Sequence, residues 1–525
     1  MERRLSEFFT TETAKKAELI SREGDADHQI TGLEYDSRNV KQGNLFFALS
    51  GLHTNGSLFI EDAISRGAVC VVHENDEIKK TPGIVYLKVK NPRFAMSPIS
   101  ASFYNFPSRR MYVTGVTGTE GKSTTVYLIW QLLTLLGKKA GFFSTVQRSF
   151  GGDAIWNSEH QTTPEAPVVQ RLLWEMADKG CEYAVVEASS HGLSPKTNRL
   201  GDVNFCSAVF TNVTHEHLEF HGTWEQYRDD KANLFRALDR YIEIYSPVNS
   251  SGFKPFGVIN AYDKSAGFFA QAAKCKTFTF SCRGNDADII AETIENSAQG
   301  NSYRVFIKQL DEHIEIKDNL PGSFNIGNVL AAILTVSNLI NIPLREIAPF
   351  ASKLKPVRGR MTAINKGQPF ELVVDYAHTP SSFMAIFPPL RERLNKTGGR
   401  IISVFGSPGE RDTQKRAEQG KIAARYSDFI VITDEDPRGE KPIDILEEIA
   451  KGVETGEESG KFTREKSLFL IPDRPSAIRK ALSMARKGDL VLLLGKGHEN
   501  SIIYADHVMP YDEINEAEKA LGEIA

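Results

Sequence analysis

The stretch Val113-Thr-Gly-Val-Thr-Gly-Thr-Glu-Gly-Lys-Ser-Thr-Thr125 joins an apolar strand end, Met111-Tyr112-Val113, to a sequence suited to a helix over 126–136. Gly115, Gly118 and Gly121 let the main chain curl tightly between them. Successive N–H groups in such a turn, together with the helix dipole, form a cradle for phosphate oxygens. Lys122 is placed to neutralise the outer phosphates, and the Ser123 hydroxyl to ligate Mg²⁺. The loop departs from G-x-x-x-x-G-K-[ST] in one place, because Val116 stands where the first glycine belongs. Gly-Lys-Ser after a buried strand still predicts a nucleoside triphosphate site made by Gly118, Thr119, Glu120, Gly121, Lys122, Ser123 and Thr124.

The bulk composition suits a large enzyme. A length of 525 residues with 41% hydrophobic side chains is enough for several cores. The formal charge of −4 leaves no global field to draw in nucleic acid or an anionic membrane, so neither is expected as a partner. The sequence has no run of about 18 apolar residues and no signal-like N-terminus, which predicts a cytoplasmic protein. Five cysteines without C-x-x-C spacing read as reduced thiols and not as metal ligands.

Outward from the loop, the chain divides into three α/β parts, 1–105, 106–355 and 356–525. In the middle part, strand candidates at 183–186, 207–211 and 257–260 alternate with helical stretches, which predicts a mostly parallel sheet covered on both faces. Residues 280–318 read instead as a β-rich, antiparallel extension. In the third part, strand candidates at 371–375, 401–405, 429–433 and 490–494 each end in small or polar residues. Open α/β sheets place their sites there.

Further chemistry gathers at strand ends. Glu187-Ala-Ser-Ser-His191 delivers a carboxylate and hydroxyls, and Thr211-Asn212 runs into a segment with His215, His217 and His221. Three histidines in seven residues without cysteine form a weak zinc signal. Beside an ATP loop, an oxygen-rich Mg²⁺-nucleotide site with one imidazole is the favoured reading. Lys231 falls on a helix over 227–238.

The ordered motifs Thr117-Gly-Thr-Glu-Gly-Lys-Ser, Glu187-Ala-Ser-Ser-His-Gly-Leu, Thr211-Asn-Val-Thr-His-Glu-His-Leu, Asp375-Tyr-Ala-His-Thr-Pro, Glu435-Asp-Pro-Arg and Gly495-Lys-Gly-His-Glu resemble those of the Mur ligases. The similarity starts at Asp36-Ser-Arg and is strongest to the branch that adds the third residue of the peptidoglycan stem peptide. It implies an N-terminal domain for the UDP-sugar, a central P-loop ATPase and a C-terminal Rossmann-like domain, and a monomer is expected. It further implies that Lys231 is carbamylated and joins Ser123, Glu187 and His217 at Mg²⁺. Lys122, Lys231, His217 and Glu187 then carry catalysis.

By the same resemblance, Ser37, Thr162, Thr163, Ser189 and Arg199 hold the UDP-MurNAc-dipeptide. Asn328, Arg360, Asp375 and His378 face ATP, and Arg411, Glu435, Asp436, Pro437, Arg438, Gly495 and Glu499 recognise the incoming diamino acid. The implied reaction is ATP-dependent amide formation through an acyl phosphate, with closure near 355–360. meso-Diaminopimelate is the favoured third residue, because an arginine at 438 pairs bidentately with a distal carboxylate. Lysine or ornithine is the alternative, as is a folylpolyglutamate-type ligase. Three departures stand out. Glu120 replaces the usual asparagine, Gly406-Ser-Pro-Gly-Glu-Arg-Asp412 replaces a glycine-richer loop, and Glu435-Asp436 replaces Asp-Asn.

Overall fold

A computed structural model describes the whole chain except residues 51–55, 158–160, 215–217, 242–251, 283, 285, 298–299, 459 and 525. The chain packs as two compact units. The first comprises Met1–Ala291, Val305–Ile314 and Gly327–Phe350, and the second Glu292–Arg304, Glu315–Ile326 and Ala351–Ala525.

In the first unit, an N-terminal five-stranded sheet has the order Leu19–Glu23, Val85–Val89, Cys70–His73, Asn44–Phe47, Gly32–Glu34. The first pairing is antiparallel and the others are parallel. The helix Pro92–Phe103 covers it. Asn91 caps this helix by accepting from the N–H groups of Arg93 and Phe94, and Pro92 occupies the first turn, where a missing N–H costs nothing.

The larger sheet is centred on Tyr112–Thr117, which lies between Tyr183–Glu187 and Phe205–Phe210, parallel to both. Ala140–Phe143 continues the sheet on one side, and Phe256–Asn260 and Lys276–Ser281 on the other. Nearly every residue of the central strands is buried, as expected where helices cover both faces. The β-rich region expected at 280–318 contains strands Ile289–Ser297, Gly300–Ile307 and Glu312–Asp318.

The second unit holds a six-stranded sheet ordered Thr362–Ile364, Glu371–Asp375, Leu490–Leu494, Ile401–Phe405, Phe429–Ile432, Leu468–Leu470. Only the first strand is antiparallel. The period of two along a strand divides the core into two layers. Leu490, Leu492 and Leu494 pack with Phe383, Phe387 and Ile449, while Val491 and Leu493 pack with Ile478, Ala481 and Ala517. Among the described residues no single helix is long and apolar enough to cross a membrane.

Candidate active site

The helix after the phosphate loop begins at Lys122 and runs to Leu135, four residues earlier than apolar periodicity predicts. Gly121 sets that start. It lies in the left-handed region (φ 84°), and a Cβ there would stand 2.5 Å from Asn328 Oδ1. Gly118 is tighter still, since a Cβ would fall 1.9 Å from Thr211 Oγ1. The loop is tied to the neighbouring strand end at three points. Thr119 N–H donates to Asn212 O (2.8 Å), Glu120 N–H to Asn212 Oδ1 (2.9 Å), and Thr211 Oγ1 to Glu120 O (2.6 Å). The backbone of Glu120, the unusual carboxylate of this loop, is thus held at both its N–H and its C=O.

Lys122 Nζ donates to Thr119 O at 2.7 Å. Ser123 Oγ donates to Glu187 Oε2 at 2.8 Å, and both side chains are buried. Glu187 also accepts from Thr145, through its N–H at 2.8 Å and its hydroxyl at 3.1 Å. Lys231 is buried on the helix Trp224–Leu238. Its Nζ donates to Gly118 O at 2.6 Å and lies 4.5 Å from the centre of the Tyr227 ring. One residue earlier, Asp230 accepts from His221 (Nδ1–Oδ2 2.7 Å), whose Nε2 meets Ser190 Oγ at 3.1 Å. Asn328 is buried beside the loop helix and accepts from Thr125 Oγ1 at 3.2 Å. Thr124 lies on that helix, half-buried. His217 lies outside the described residues, as do His215 and Glu216.

A buried carboxylate and a hydroxyl 2.8 Å apart beside a phosphate loop make an oxygen donor set of the kind a hard divalent cation takes. Among the described residues, no three His, Cys, Asp or Glu side chains gather as a metal cluster. Ser123 and Glu187 are therefore the donors that the structure brings together.

Four of the five residues assigned to a sugar nucleotide, Thr162, Thr163, Ser189 and Arg199, are linked at the Glu187 strand end. Thr163 Oγ1 donates to Glu187 O (2.8 Å) and accepts from Ser189 N–H (3.0 Å). Thr162 Oγ1 accepts from Thr145 Oγ1 at 3.1 Å. Ser189 caps the short helix Ser190–Leu193. Arg199 is anchored, donating to Thr163 O (2.8 Å) and Glu165 Oε1 (2.9 Å). Arg93 shares the same Glu165 oxygen at 2.7 Å. Ser37 is buried in the N-terminal sheet region, on the turn after Gly32–Glu34. Nearby, burial pushes the Glu34 carboxyl up to about 7, with Arg171 opposing and Asp36 reinforcing the rise.

The second unit holds its own polar cluster at the C-terminal ends of the parallel strands. The Arg360 guanidinium lies 4.5 Å from the Tyr376 ring centre, and Tyr376 sits 4.6 Å from both His378 and His498, centre to centre. Arg360 Nε and His498 Nδ1 are buried without hydrogen-bond partners. Burial, then the nearby Arg360 charge, holds His498 well below its ordinary pKa, which leaves a neutral imidazole. Asp375 accepts from Met361 N–H and Ala377 N–H, each at 2.7 Å, and burial raises its pKa against the pull of Arg360. Two glycines cross here. A Cβ on Gly359 (φ 75°) would come within 2.4 Å of the Gly497 carbonyl carbon and the His498 nitrogen.

Beside this cluster, Lys496 is buried between two carboxylates, Asp436 Oδ1 at 2.8 Å and Glu499 Oε2 at 2.6 Å. Asp436 Oδ1 also accepts from Ile503 N–H (3.0 Å), and Ile503 O accepts from Arg438 N–H (2.9 Å). Arg438 is in the left-handed region (φ 54°), uncommon for a long side chain. Its guanidinium has no ion pair among the described residues. Glu435 is buried with Oε2 unpartnered, and burial raises its pKa against Lys415 and Lys496. Gly495 (φ 102°) faces Glu435, with a Cβ there 3.1 Å from its Oε2. Pro437 O crosses Gly409 so closely that a Cβ would fall 1.9 Å away. Arg411 is exposed. Thr145, Tyr376, Lys496 and His498 were not singled out in the sequence. The signal for the last three is present in the sequence, since Tyr376 lies inside Asp375-Tyr-Ala-His-Thr-Pro and Lys496 and His498 inside Gly495-Lys-Gly-His-Glu.

Residues 29–104 match the Mur ligase family, catalytic domain; 116–336 match the Mur ligase middle domain; and 359–497 match the Mur ligase, glutamate ligase domain. The chain is 50% identical to the UDP-N-acetylmuramyl-tripeptide synthetase of Treponema denticola, with 97% of each chain covered. It is 36% identical to the UDP-N-acetylmuramoyl-L-alanyl-D-glutamate--2,6-diaminopimelate ligase of Caldanaerobacter subterraneus, covering 95% of this chain and 96% of the other. A solved UDP-N-acetylmuramoyl-L-alanyl-D-glutamate--2,6-diaminopimelate ligase superposes with a TM-score of 0.61 at 27% identity, over 96% of this chain and 97% of that one. With a relative half identical along nearly the full length, and matches in every part of the sequence, this chain belongs to the Mur ligase family.

Proposed function

We propose that the chain is the ATP-dependent ligase that adds the third residue, meso-diaminopimelate, to UDP-N-acetylmuramoyl-L-alanyl-D-glutamate in peptidoglycan precursor synthesis. Residues 1–105 serve the sugar nucleotide, 106–355 ATP, and 356–525 the incoming amino acid. The observation that carries the choice of amino acid is Arg438. Lys496 pairs with the neighbouring carboxylates, and the Arg438 guanidinium remains for an anion. A planar guanidinium matches a carboxylate bidentately, and lysine and ornithine lack that second carboxylate.

A free carboxylate does not condense with an amine in water. The γ-phosphoryl group of ATP passes to the side-chain carboxylate of the D-Glu residue, giving an acyl phosphate and ADP. The amine then attacks the acyl carbon, and the tetrahedral adduct expels phosphate as the amide forms. Lys122 and the loop N–H groups stabilise charge on the transferring phosphoryl group. Ser123 and Glu187 would hold Mg²⁺, with His217 and a carbamylated Lys231 completing the set. The metal supplies charge neutralisation at the phosphates. Thr145 fixes the Glu187 carboxylate, and Asn212 and Tyr227, whose hydroxyl meets Thr119 Oγ1 at 3.1 Å, fix the loop. Arg360, His378 and Asp375 are assigned to ATP.

The test is kcat/KM of purified protein with UDP-MurNAc-L-Ala-D-Glu, ATP and a panel of diamino acids, beside Arg438→Ala. Diaminopimelate should be preferred by more than about tenfold, and the variant should lose that preference. If lysine or ornithine is preferred and Arg438→Ala leaves the preference unchanged, the carboxylate clamp is refuted.

A further inference from the structure

Resting on the proposed amino-acid site, we infer that Lys496 is the positioning residue that sets the charge of this pocket, by offsetting the charge of Asp436 and Glu499 and holding the turn that presents Arg438. Three observations support this role. Lys496 is buried, with its ammonium 2.8 Å from Asp436 and 2.6 Å from Glu499. The Asp436 oxygen it meets also accepts from Ile503 N–H, while Ile503 O accepts from Arg438 N–H. One ammonium thus closes a latch from Gly495-Lys-Gly-His-Glu through Asp436 to the left-handed backbone of Arg438. Third, the neighbouring Glu435 has an unpartnered buried oxygen, and no other described cation within hydrogen-bonding reach pairs with these carboxylates.

Electrostatics then decides what the pocket accepts. With Lys496 in place, one ammonium offsets part of the charge of Asp436 and Glu499 and Arg438 adds a second positive charge, so a distal carboxylate meets less repulsion. Without Lys496, Asp436 and Glu499 lose the ammonium that offsets them, and the more negative site suits a terminal ammonium instead. The Asp436 departure from the usual asparagine gains a physical meaning here. It adds a negative charge that Lys496 must balance.

The experiment measures the ratio of kcat/KM for meso-diaminopimelate to that for L-lysine, in the parent and in Lys496→Met, Asp436→Asn and Lys496→Met/Asp436→Asn, with KM for ATP followed in parallel. Lys496→Met should raise KM for diaminopimelate about tenfold or more and shift the ratio toward lysine, leaving KM for ATP unchanged. Adding Asp436→Asn should move the ratio back toward the parent. Asp436→Asn alone keeps an acceptor for Ile503 and removes no packing, so it reads the charge effect even if Lys496→Met misfolds, and it should favour diaminopimelate further. An unmoved ratio in Asp436→Asn, or equal losses on both amino acids in Lys496→Met without recovery in the double variant, overturns the inference while the proposed function stands. A parent that ligates neither amino acid overturns the proposed function itself, and the inference with it.

Discussion

Arg474 and Glu513 form a fully buried bidentate ion pair, with Nη2–Oε1 at 2.6 Å and Nε–Oε2 at 2.8 Å. The same guanidinium donates to Asp434 O at 3.0 Å and Leu494 O at 2.7 Å. Those carbonyls belong to the residues immediately before Glu435 and Gly495. One arginine therefore joins two strand ends, each leading into a segment assigned to the amino acid, and a carboxylate from the helix Glu513–Ile524 balances its charge.

Breaking this pair should cost more than deleting it. Glu513→Leu leaves an uncompensated buried charge, a loss of about 3–5 kcal/mol. Arg474→Met/Glu513→Leu should recover most of that. Denaturation midpoints followed by fluorescence check the order, and a double variant weaker than either single one would contradict it.

Ser123→Ala and Glu187→Gln should each lower kcat by about 10²–10³-fold, since each removes a group fixed beside the phosphates. Lys122→Ala should likewise remove ATP-dependent turnover. Calorimetric binding of the UDP-dipeptide should survive in all three, because Ser37, Ser189 and Arg199 are untouched. Equal loss of both ligands would instead mean that the domain assignment is wrong.

Lys231→Ala should nearly abolish ligation, and short carboxylic acids should restore part of it by filling the place of a carbamate. Normal turnover in the variant, or no response to added acid in an inactive one, counts against carbamylation.

Glu34 gives a pH test. Its folded pKa, about 7, lies above the ordinary 4.5, so the folded state holds this proton more tightly than the unfolded state does. Stability from this group is therefore lost as pH rises from 4.5 to about 7. Glu34→Gln should raise the melting midpoint relative to the parent near pH 8 and narrow to no gain near pH 4, both by calorimetry. A constant difference at the two pH values would show that burial does not control this carboxyl.

Much of the arrangement is legible in sequence because its signals are local. Gly118, Gly121, Lys122 and Ser123 lie within six residues, and the apolar runs at 371–375, 401–405 and 490–494 become strands with those bounds. The helix start at Lys122 is harder to read, because its first turn is polar and a left-handed glycine, not an apolar stripe, sets it. Thr145 gives no local sign at all. It reaches Glu187, 42 residues away, only because Ala140–Phe143 pairs in parallel with Tyr183–Glu187 and ends beside it. Arg474 reads as an ordinary residue in a helix start, Asp473-Arg-Pro-Ser, and only tertiary packing buries it.

The crossing of Gly359 and Gly497 has a consequence for heredity. Most of what a side chain at Gly359 would strike is main chain: the Gly497 carbonyl carbon and oxygen and the His498 nitrogen. A methyl group added there meets no rotamer that can swing aside and no neighbour that can be trimmed. Suppressor selections starting from Gly359→Ala should therefore return the original codon far more often than a compensating change elsewhere.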